Sequence, residues 1–521
     1  MKLFFALACL VFSTGAMAGE YYYTIGTDSP NATHYATADE ACRASYATDL
    51  QNGPPDPYDT VPMPYAGPKV LQDFPPKTLV YTCITVWRSP DGKTSIGTGS
   101  YITRNGDNCS SSETYNPLTG YCESPDKEQP RKEEGDPTSP ANVGFVSCGD
   151  PVNPANGNVF ETETDYADQD GELHFVRSYN SADTAGWVTT FNTHVYADTA
   201  VTPRGAVVMF EDGRTALFVT KSGALVADGG ELGSLVQNST GWVYTSQFNE
   251  QMTFDTQGRL VRWQKADGRA TTLTYSTTPT YDAVATVVDS LGHQMVYTTH
   301  YGWPLSLVVG NLTIDYTVDA SFRITGVKKT WPGHSTTRSY LYEDSTHPKL
   351  LTGVIDERGV RVSTWAYDAS SRAVSAAMAS GKGTFSFAYN ADGSTTVTNP
   401  LGHHVIYRFG IVQGAKRITA VEGEPVAGCP ASNSTFAYTA NAQLDSRTDA
   451  VGHVTSFAYD TLGRETTRVE AKGTASERTT TTTWDGTTFR PATVTTSDRV
   501  TTYTYDTQGR LTRTTVAAKN S

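Results

Sequence analysis

Charge is scarce in this sequence. Only 18% of its 521 residues are Asp, Glu, Lys or Arg, and no basic stripe with interleaved aromatics offsets a formal charge of -14. Such a surface keeps a chain soluble and argues against wrapping nucleic acid. Long apolar runs are missing too: past residue 18, no stretch approaches the roughly 18 apolar residues that span a bilayer as a helix. There is no Cys-x-x-Cys pair of the kind that builds common zinc sites. A Gly-x-Ser-x-Gly elbow is also absent, which leaves a Ser-His-Asp arrangement without a motif.

The N-terminus carries Lys2, an apolar run from Leu3 to Phe12, and Ala16-Met17-Ala18. Together they read as a secretory signal peptide, 1–18, cut before Gly19. The competing reading, a lipoprotein signal acylated at Cys9, places the cysteine inside the apolar run. Export implies a secreted, periplasmic or envelope-associated protein in an oxidising compartment. The remaining cysteines, Cys42, Cys83, Cys109, Cys122, Cys148 and Cys429, are even in number and are disulfide candidates. The pairings expected are Cys42 with Cys83 and Cys109 with Cys122, which leaves Cys148 for the distant Cys429.

Thr and Tyr abound, which favours strands and an all-β fold. Residues 19–126 read as a separate Cys-, Tyr- and Pro-rich domain, with prolines recurring from Gly53 to Pro76, a strand over Thr78–Trp87 and a short helix over Asp39–Ala47. Ser124 to Asn142 reads as a solvated linker, placed at 127–147. Residues 148–250 form the next domain and 251–521 an array of repeats.

That array is the most informative feature. Phe254-Asp-Thr-Gln-Gly-Arg-Leu, Tyr367-Asp368-Ala-Ser-Ser-Arg, Tyr459-Asp-Thr-Leu-Gly-Arg464 and Tyr505-Asp-Thr-Gln-Gly-Arg510-Leu are near copies. The wider pattern is Asp or Asn followed three residues later by Gly: Asp255/Gly258, Asp289/Gly292, Asp356/Gly359, Asn390/Gly393, Asn399/Gly402, Asp449/Gly452, Asp460/Gly463 and Asp506/Gly509. Asp or Asn at the first position accepts a backbone N–H, and Gly at the fourth takes the positive φ that closes a type I turn into a hairpin. Between turns the residues alternate, with Phe385, Phe387 and Tyr389 on one face and Leu312, Ile314 and Tyr316 on another. The eleven residues from Asp449 to Asp460 leave room for one strand of about seven residues, roughly 24 Å long. The fold expected is repeated β-hairpins forming a curved sheet or partial β-shell, behind a small Cys-rich N-terminal domain. Stacking hairpins hides the unpaired edges that each would expose alone.

Asn153-Pro154, Gly157-Asn158-Val159, Glu163-Thr-Asp165-Tyr166, Arg177-Ser-Tyr179-Asn180-Ser181 and Gly186-Trp187 resemble the domain that opens the core of bacterial Rhs proteins. The downstream Tyr-Asp-x-x-Gly-Arg units resemble the YD repeats that follow it, so the resemblance covers roughly 148–521. It implies a hollow shell of hairpins in a secreted polymorphic toxin system, serving toxin encapsulation or delivery and interbacterial competition. The partner implied is a separate polypeptide that completes the shell or is carried as toxin cargo. The family's Pro-x-x-x-x-Asp-Pro-x-Gly-like closing element and a toxin domain cannot be located, so the array is expected to be truncated. The alternative is a surface adhesin that binds glycans through the sheet. A third reading, with least behind it, is an enzyme in the Cys-rich region.

The candidate chemistry favours a structural protein. Asp165, Asp168 and Asp170 before Gly171 suggest a calcium loop, but no Glu stands at the far ligand position. Gly-His recurs at Gly292-His293, Gly402-His403 and Gly452-His453, which points to turn chemistry more than to a metal. Paired carboxylates for glycoside hydrolysis remain open among 54 acidic residues. Arg259, Arg464 and Arg510 are expected to pair with acids on neighbouring hairpins. Phe457 and Tyr459 beside Tyr503 and Tyr505 are expected to pack across strands, with sugar stacking as the alternative. No catalytic residue, cofactor or metal is expected.

Overall fold

The computed structural model of the chain describes residues 22–26, 33, 35, 38–52, 61–62, 69–70, 80–88, 95–105, 114–115, 122–124, 126–135, 152–168, 172–182, 186–197, 205–221, 223–277, 282–300, 303–379, 383–423, 433–486, 488–506 and 509–519. The expected signal peptide, Cys109, Cys148, Cys429, Asp170, Gly171 and the side chain of Cys122 lie outside these. The chain divides into two compact units, 1–122 and 123–521.

In the first unit, strands Tyr22–Ile25, Ser95–Asn105, Val80–Arg88 and Val61–Pro62 form a sheet in that order, with Lys69–Val70 also paired to Val80–Arg88. The helix, Ala38–Asn52, is longer than the stretch expected at Asp39–Ala47. It buries Ala41 and Cys42 completely. A disulfide joins Cys42 to Cys83 on the central strand, tying the helix to the sheet.

The second unit is dominated by a 26-stranded sheet in which every strand pairs with its neighbours in sequence, from Ser234–Asn238 to Leu511–Ala518. It starts two strands ahead of the array expected at 251. Those strands escape the repeat pattern because the turn that follows them carries Ser246 and Asn249 where later turns carry Asp and Gly; Ser246 Oγ accepts the amides of Phe248 and Glu250. Asn249 supplies the positive φ of 61°.

Alternation holds along the strands. Phe387 is buried between exposed Ser386 and Ala388, and Ile314 and Tyr316 are buried on either side of exposed Asp315. The apolar face forms one continuous core from Val152 to Val421. Among the described residues, no strand position after Ser434 is buried.

Two smaller sheets cover this face. One has the order Trp187–Thr189, His174–Asn180, Phe160–Ala167, and the other His194–Ala197, Gly205–Met209, Thr215–Lys221, Ala224–Ala227. The large sheet also curls on itself. A Cβ on Gly463 would meet Leu232, strands Gly241–Thr245 and Arg478–Trp484 line one cavity, and Asp267 and Arg490 line another. Recurrent bulges fit that curvature: the register shifts at Phe254, Val318, Tyr367, Tyr438, Tyr459, Trp484 and Tyr505. Each inserts an extra residue and increases local twist.

Candidate functional site

The residues of the repeat are consumed by one recurring arrangement. At the turn of Tyr459-Asp460, the Asp460 amide donates to Arg464 O and the Gly463 amide to Asp460 O, both at 3.0 Å. Asp460 Oδ1 accepts the amides of Leu462 and Arg464. Gly463 holds a φ of +75°, a conformation costly for any residue with a Cβ. Asp255, Asp289, Asp356, Asp368, Asn399 and Asp449 make the same pair of side-chain bonds to backbone amides two and four residues on. Hydrogen bonding and nearby cations hold the pKa of Asp289, Asp356, Asp368, Asp449 and Asp460 below the usual carboxylate value, although burial opposes this.

The other turn glycines share the backbone role but differ in surroundings, which the repeat pattern does not convey. The amides of Gly258, Gly359 and Gly509 donate to the carbonyls of Asp255, Asp356 and Asp506, each at 3.0 Å, with φ of +82°, +77° and +74°. Gly258 is more than a turn former. Its carbonyl accepts the Val195 amide at 2.9 Å, and a Cβ there would run into Val195 O, so the small sheet that holds His194–Ala197 is fastened to this rim. Gly359 departs in the opposite sense. It is exposed and followed by Val360, and the arginine of its turn precedes it: Arg358 reaches Asp356 at 2.6 Å. Gly509 is buried, packed where Thr488 and Arg490 approach it. Gly292, Gly393, Gly402 and Gly452 face open space.

The arginines depart from expectation. Arg259, Arg464 and Arg510 pair with the Asp of their own turn, Asp255, Asp460 and Asp506, each at 2.7 Å, instead of reaching acids on neighbouring hairpins. Arg372 does the same with Asp368. A four-residue offset across a tight turn brings the guanidinium straight back onto the carboxylate whose other oxygen already holds the turn. The neighbouring hairpin supplies an aromatic ring instead: Arg259 lies 4.7 Å from Tyr275, Arg372 4.1 Å from Tyr389, and Arg464 5.3 Å from Trp484.

That ring closes the unit. Tyr275, Tyr367, Tyr389, Tyr459 and Tyr505 donate their hydroxyls to the carbonyls of Leu260, Leu351, Ala373, Leu444 and Pro491. In all but the Leu351 case the acceptor opens the strand after the preceding turn, beside a bulge, where the ladder is interrupted. Each repeat thus satisfies a carbonyl of the one before. Burial raises the pKa of these phenols, so they stay protonated donors. The expected aromatic rows are not adjacent: Tyr459 and Tyr505 stand on strands separated by three others.

Because sheet neighbours alternate in direction, turns fall on two rims. Asp255, Asp368, Asp460 and Asp506, followed by Arg, share one rim, and Asp289, Asn399 and Asp449, followed by His, share the other. His293 Nδ1 lies 2.7 Å from Asp289 and His453 Nδ1 3.4 Å from Asp449, in the place arginine takes elsewhere.

The opening domain is fastened to this frame by its own motif residues. Gly157 accepts the Ala373 amide, and a Cβ there would lie 2.5 Å from both Arg372 Cβ and Tyr389 Oη. Tyr179 Oη accepts the Leu351 amide, and Trp187 Nε1 donates to Tyr342 Oη. At the centre, fully buried Arg177 is bidentate to Asp165 at 2.5 and 3.0 Å and donates to Tyr340 at 2.7 Å. Tyr316 donates to Asp165 at 2.8 Å, and Trp187 packs 4.7 Å from the guanidinium. Burial alone would lower the pKa of Arg177, but Asp165 and then the two tyrosines raise it well above its ordinary value.

Of the candidate calcium loop, Asp165 is spent on Arg177 and Asp170 lies outside the described residues. Asp168, Asp289 and His293 do bring ligand-type atoms within 4.8 Å of one another. Asp168, however, accepts the amides of Glu172 and Leu173, and Asp289 holds its turn and His293.

Past an exposed start at 126–128, residues 129–135 of the expected linker form a strap packed on the sheet rather than a solvated stretch, and 136–147 lie outside the described residues. Gln129, Glu133 and Glu134 are almost wholly covered. Gln129 N donates to Gly414 O at 2.6 Å. Lys132 Nζ binds Asp228 and the Gln413 carbonyl, and Glu133 Oε1 accepts the Lys416 amide at 2.7 Å. Burial pushes the Glu133 carboxyl up to about 7 against that hydrogen bond. The charge run that suggested solvent meets Asp228 at Lys132 and the hairpin at 413–416 at Glu128 and Glu133.

Residues 149–218 match a domain of unknown function (DUF6531), and residues 438–475 match the RHS Repeat. No curated protein matches the chain. Among solved structures, the chain is similar to the crystal structure of TcdB2-TccC3, at 14% identity over 84% of this chain and 23% of that one, with a TM-score of 0.35. It is also similar to the crystal structure of TcdB2-TccC3-Cdc42, at 12% identity over 67% and 23% with a TM-score of 0.26. The structure of the Photorhabdus luminescens Tc holotoxin pore gives 12%, 67%, 23% and 0.25. The chain spans 23% of the length of each.

Proposed function

We propose that this chain, which carries an RHS Repeat match at 438–475, is an Rhs/YD-repeat protein serving as a non-enzymatic wall segment of a β-shell in a secreted toxin system, used in toxin encapsulation or delivery between competing bacteria. One observation carries the reading: the Asp, Gly, Arg and Tyr of the repeat are spent on turn closure and on the bond to the previous repeat. What is left is a continuous curling sheet with cohesion along its length. Export to the periplasm, envelope or medium follows from the N-terminal signal pattern. The partner is a separate polypeptide enclosed by, or completing, the wall.

Expression of the chain with its native signal, capture from the exported fraction and protease challenge test this. The expected result is a co-purifying polypeptide that resists added protease while bound. Capture of the chain alone, with saturable binding to intact cells that free sugar competes away, would overturn it in favour of an adhesin.

A further inference from the structure

Where the curled sheet returns on itself it lines a half-open cavity of about 420 Å³, within the ~300–1,000 Å³ range of small-molecule sites. We propose that this cavity binds a small carboxylate anion with an aromatic or aliphatic body, of the aryl-alkanoate class. One wall comes from Phe210, Tyr244 and Met252, and the opposite one from Leu444, Tyr459 and Trp484. Rings and branched chains on both sides suit a flat apolar body.

The charge comes from Arg464, which also lines the cavity and differs from its counterparts in other repeats. Its side chain is 12% exposed, against 40% for Arg259, 40% for Arg372 and 72% for Arg510. Nε is spent on Asp460 at 2.7 Å and Nη2 lies 2.7 Å from the same oxygen. Nη1 is buried with no hydrogen-bond partner among the described residues. The unanswered Nη1 leaves the guanidinium's charge balanced only by Asp460, and a carboxylate held against the accessible part of the Arg464 side chain would be attracted to that cation. The carboxylates on the wall do not oppose this, because each has its own cation: Glu231 with Arg214, Glu250 with Lys265 and Glu465 with Arg468. A second guanidinium, Arg417, also lines the cavity.

The test is isothermal titration calorimetry of the full chain with 3-phenylpropanoate and with its uncharged isostere, 3-phenylpropanamide. The acid is expected to bind about tenfold or more tightly than the amide, the usual size of a charge-assisted bond. Leu444→Trp, which fills the cavity, is expected to weaken the acid by at least about tenfold with an unchanged far-UV circular dichroism spectrum. Equal affinity for acid and amide, no heat from the acid at millimolar concentration, or a folded Leu444→Trp that binds as before overturns the proposal. If Leu444→Trp fails to fold, the comparison of acid with amide on the unaltered chain decides.

Discussion

The hydroxyl of Tyr389 donates to the carbonyl oxygen of Ala373 at 2.5 Å, and the Arg372 guanidinium lies over the same ring at 4.1 Å. One side chain therefore satisfies a bulge carbonyl of the preceding hairpin and neutralises part of the field of its turn. In a meander, strand pairing alone would let hairpins slip by two residues without exposing the apolar face. The tyrosine fixes the register because its hydroxyl reaches one carbonyl.

Tyr389→Phe keeps the ring and deletes the donor, leaving the Ala373 carbonyl unpaired beside a buried face. The expected cost is about 1–2 kcal/mol, read as a fall in urea midpoint at unchanged m-value. Tyr505→Phe, at the less covered end of the array, should cost under about 0.5 kcal/mol. Equal losses at the two sites would mean that coverage of the site does not set what the hydroxyl bond is worth.

Much of this was legible in the sequence. The turns were, because Asp and Gly have one geometric job each and repeat at a fixed offset. The alternation at Phe385–Tyr389 and Leu312–Tyr316 was legible for the same reason. The tyrosine bond was not, because its acceptor is a backbone carbonyl that carries no residue signal. For the same reason the docking of Val195 on Gly258 left no trace, and Gly258, Gly359 and Gly509 looked alike. Arg177 and Asp165 were visible as motif residues, yet Tyr316 and Tyr340 lie more than a hundred residues away and nothing local marks them. The strap at 129–135 misled because Lys and Glu look like solvent until the opposing amides and charges are in place. Turns lacking Gly also hid from the pattern at Phe322 and Ala442, which hold φ of 61° and 60° at the fourth position, whereas Ser371, at 63°, showed only through the Tyr-Asp and Arg that frame it.

Ser371 gives a stability gain for that reason. Its amide closes the turn onto Asp368 O at 2.9 Å, and its Cβ strains a left-handed backbone. Ser371→Gly relieves the strain at some cost in unfolded-chain entropy, for a net gain of about 0.5–1 kcal/mol. A raised thermal midpoint is expected, whereas Gly292→Ala, at +87° in open space, should lower it.

Glu133 sets a pH dependence opposite to that of the turn aspartates. Its folded pKa, raised by burial to about 7 from 4.5, means that the folded state holds the proton more tightly than the unfolded chain. The stabilisation is fully present below about pH 4.5 and is lost as pH rises through about 7, a change of the order of 3 kcal/mol. The depressed aspartates act the other way, stabilising above their unfolded values and losing that as pH falls through the acid range. Glu133→Gln should flatten the thermal midpoint between about pH 5 and about pH 8 while leaving the acid limb intact. A midpoint that still falls between these pH values in the variant would assign the effect to another group.

The pair Arg177 and Asp165 gives the sharpest non-additivity. Both are buried, so removing one leaves the other charged in a low-dielectric site, and Tyr340 or Tyr316 loses its partner as well. Arg177→Met alone should cost about 3–5 kcal/mol, enough to detach the opening domain from the sheet and expose Trp187 to quencher. The double variant Arg177→Met with Asp165→Leu replaces the ion pair by apolar groups and should recover at least about 2 kcal/mol of that loss. If the two single losses simply add in the double variant, the pair is not acting as a unit. The clasp then rests on Gly157, Tyr179 and the aromatic packing around Trp187 instead.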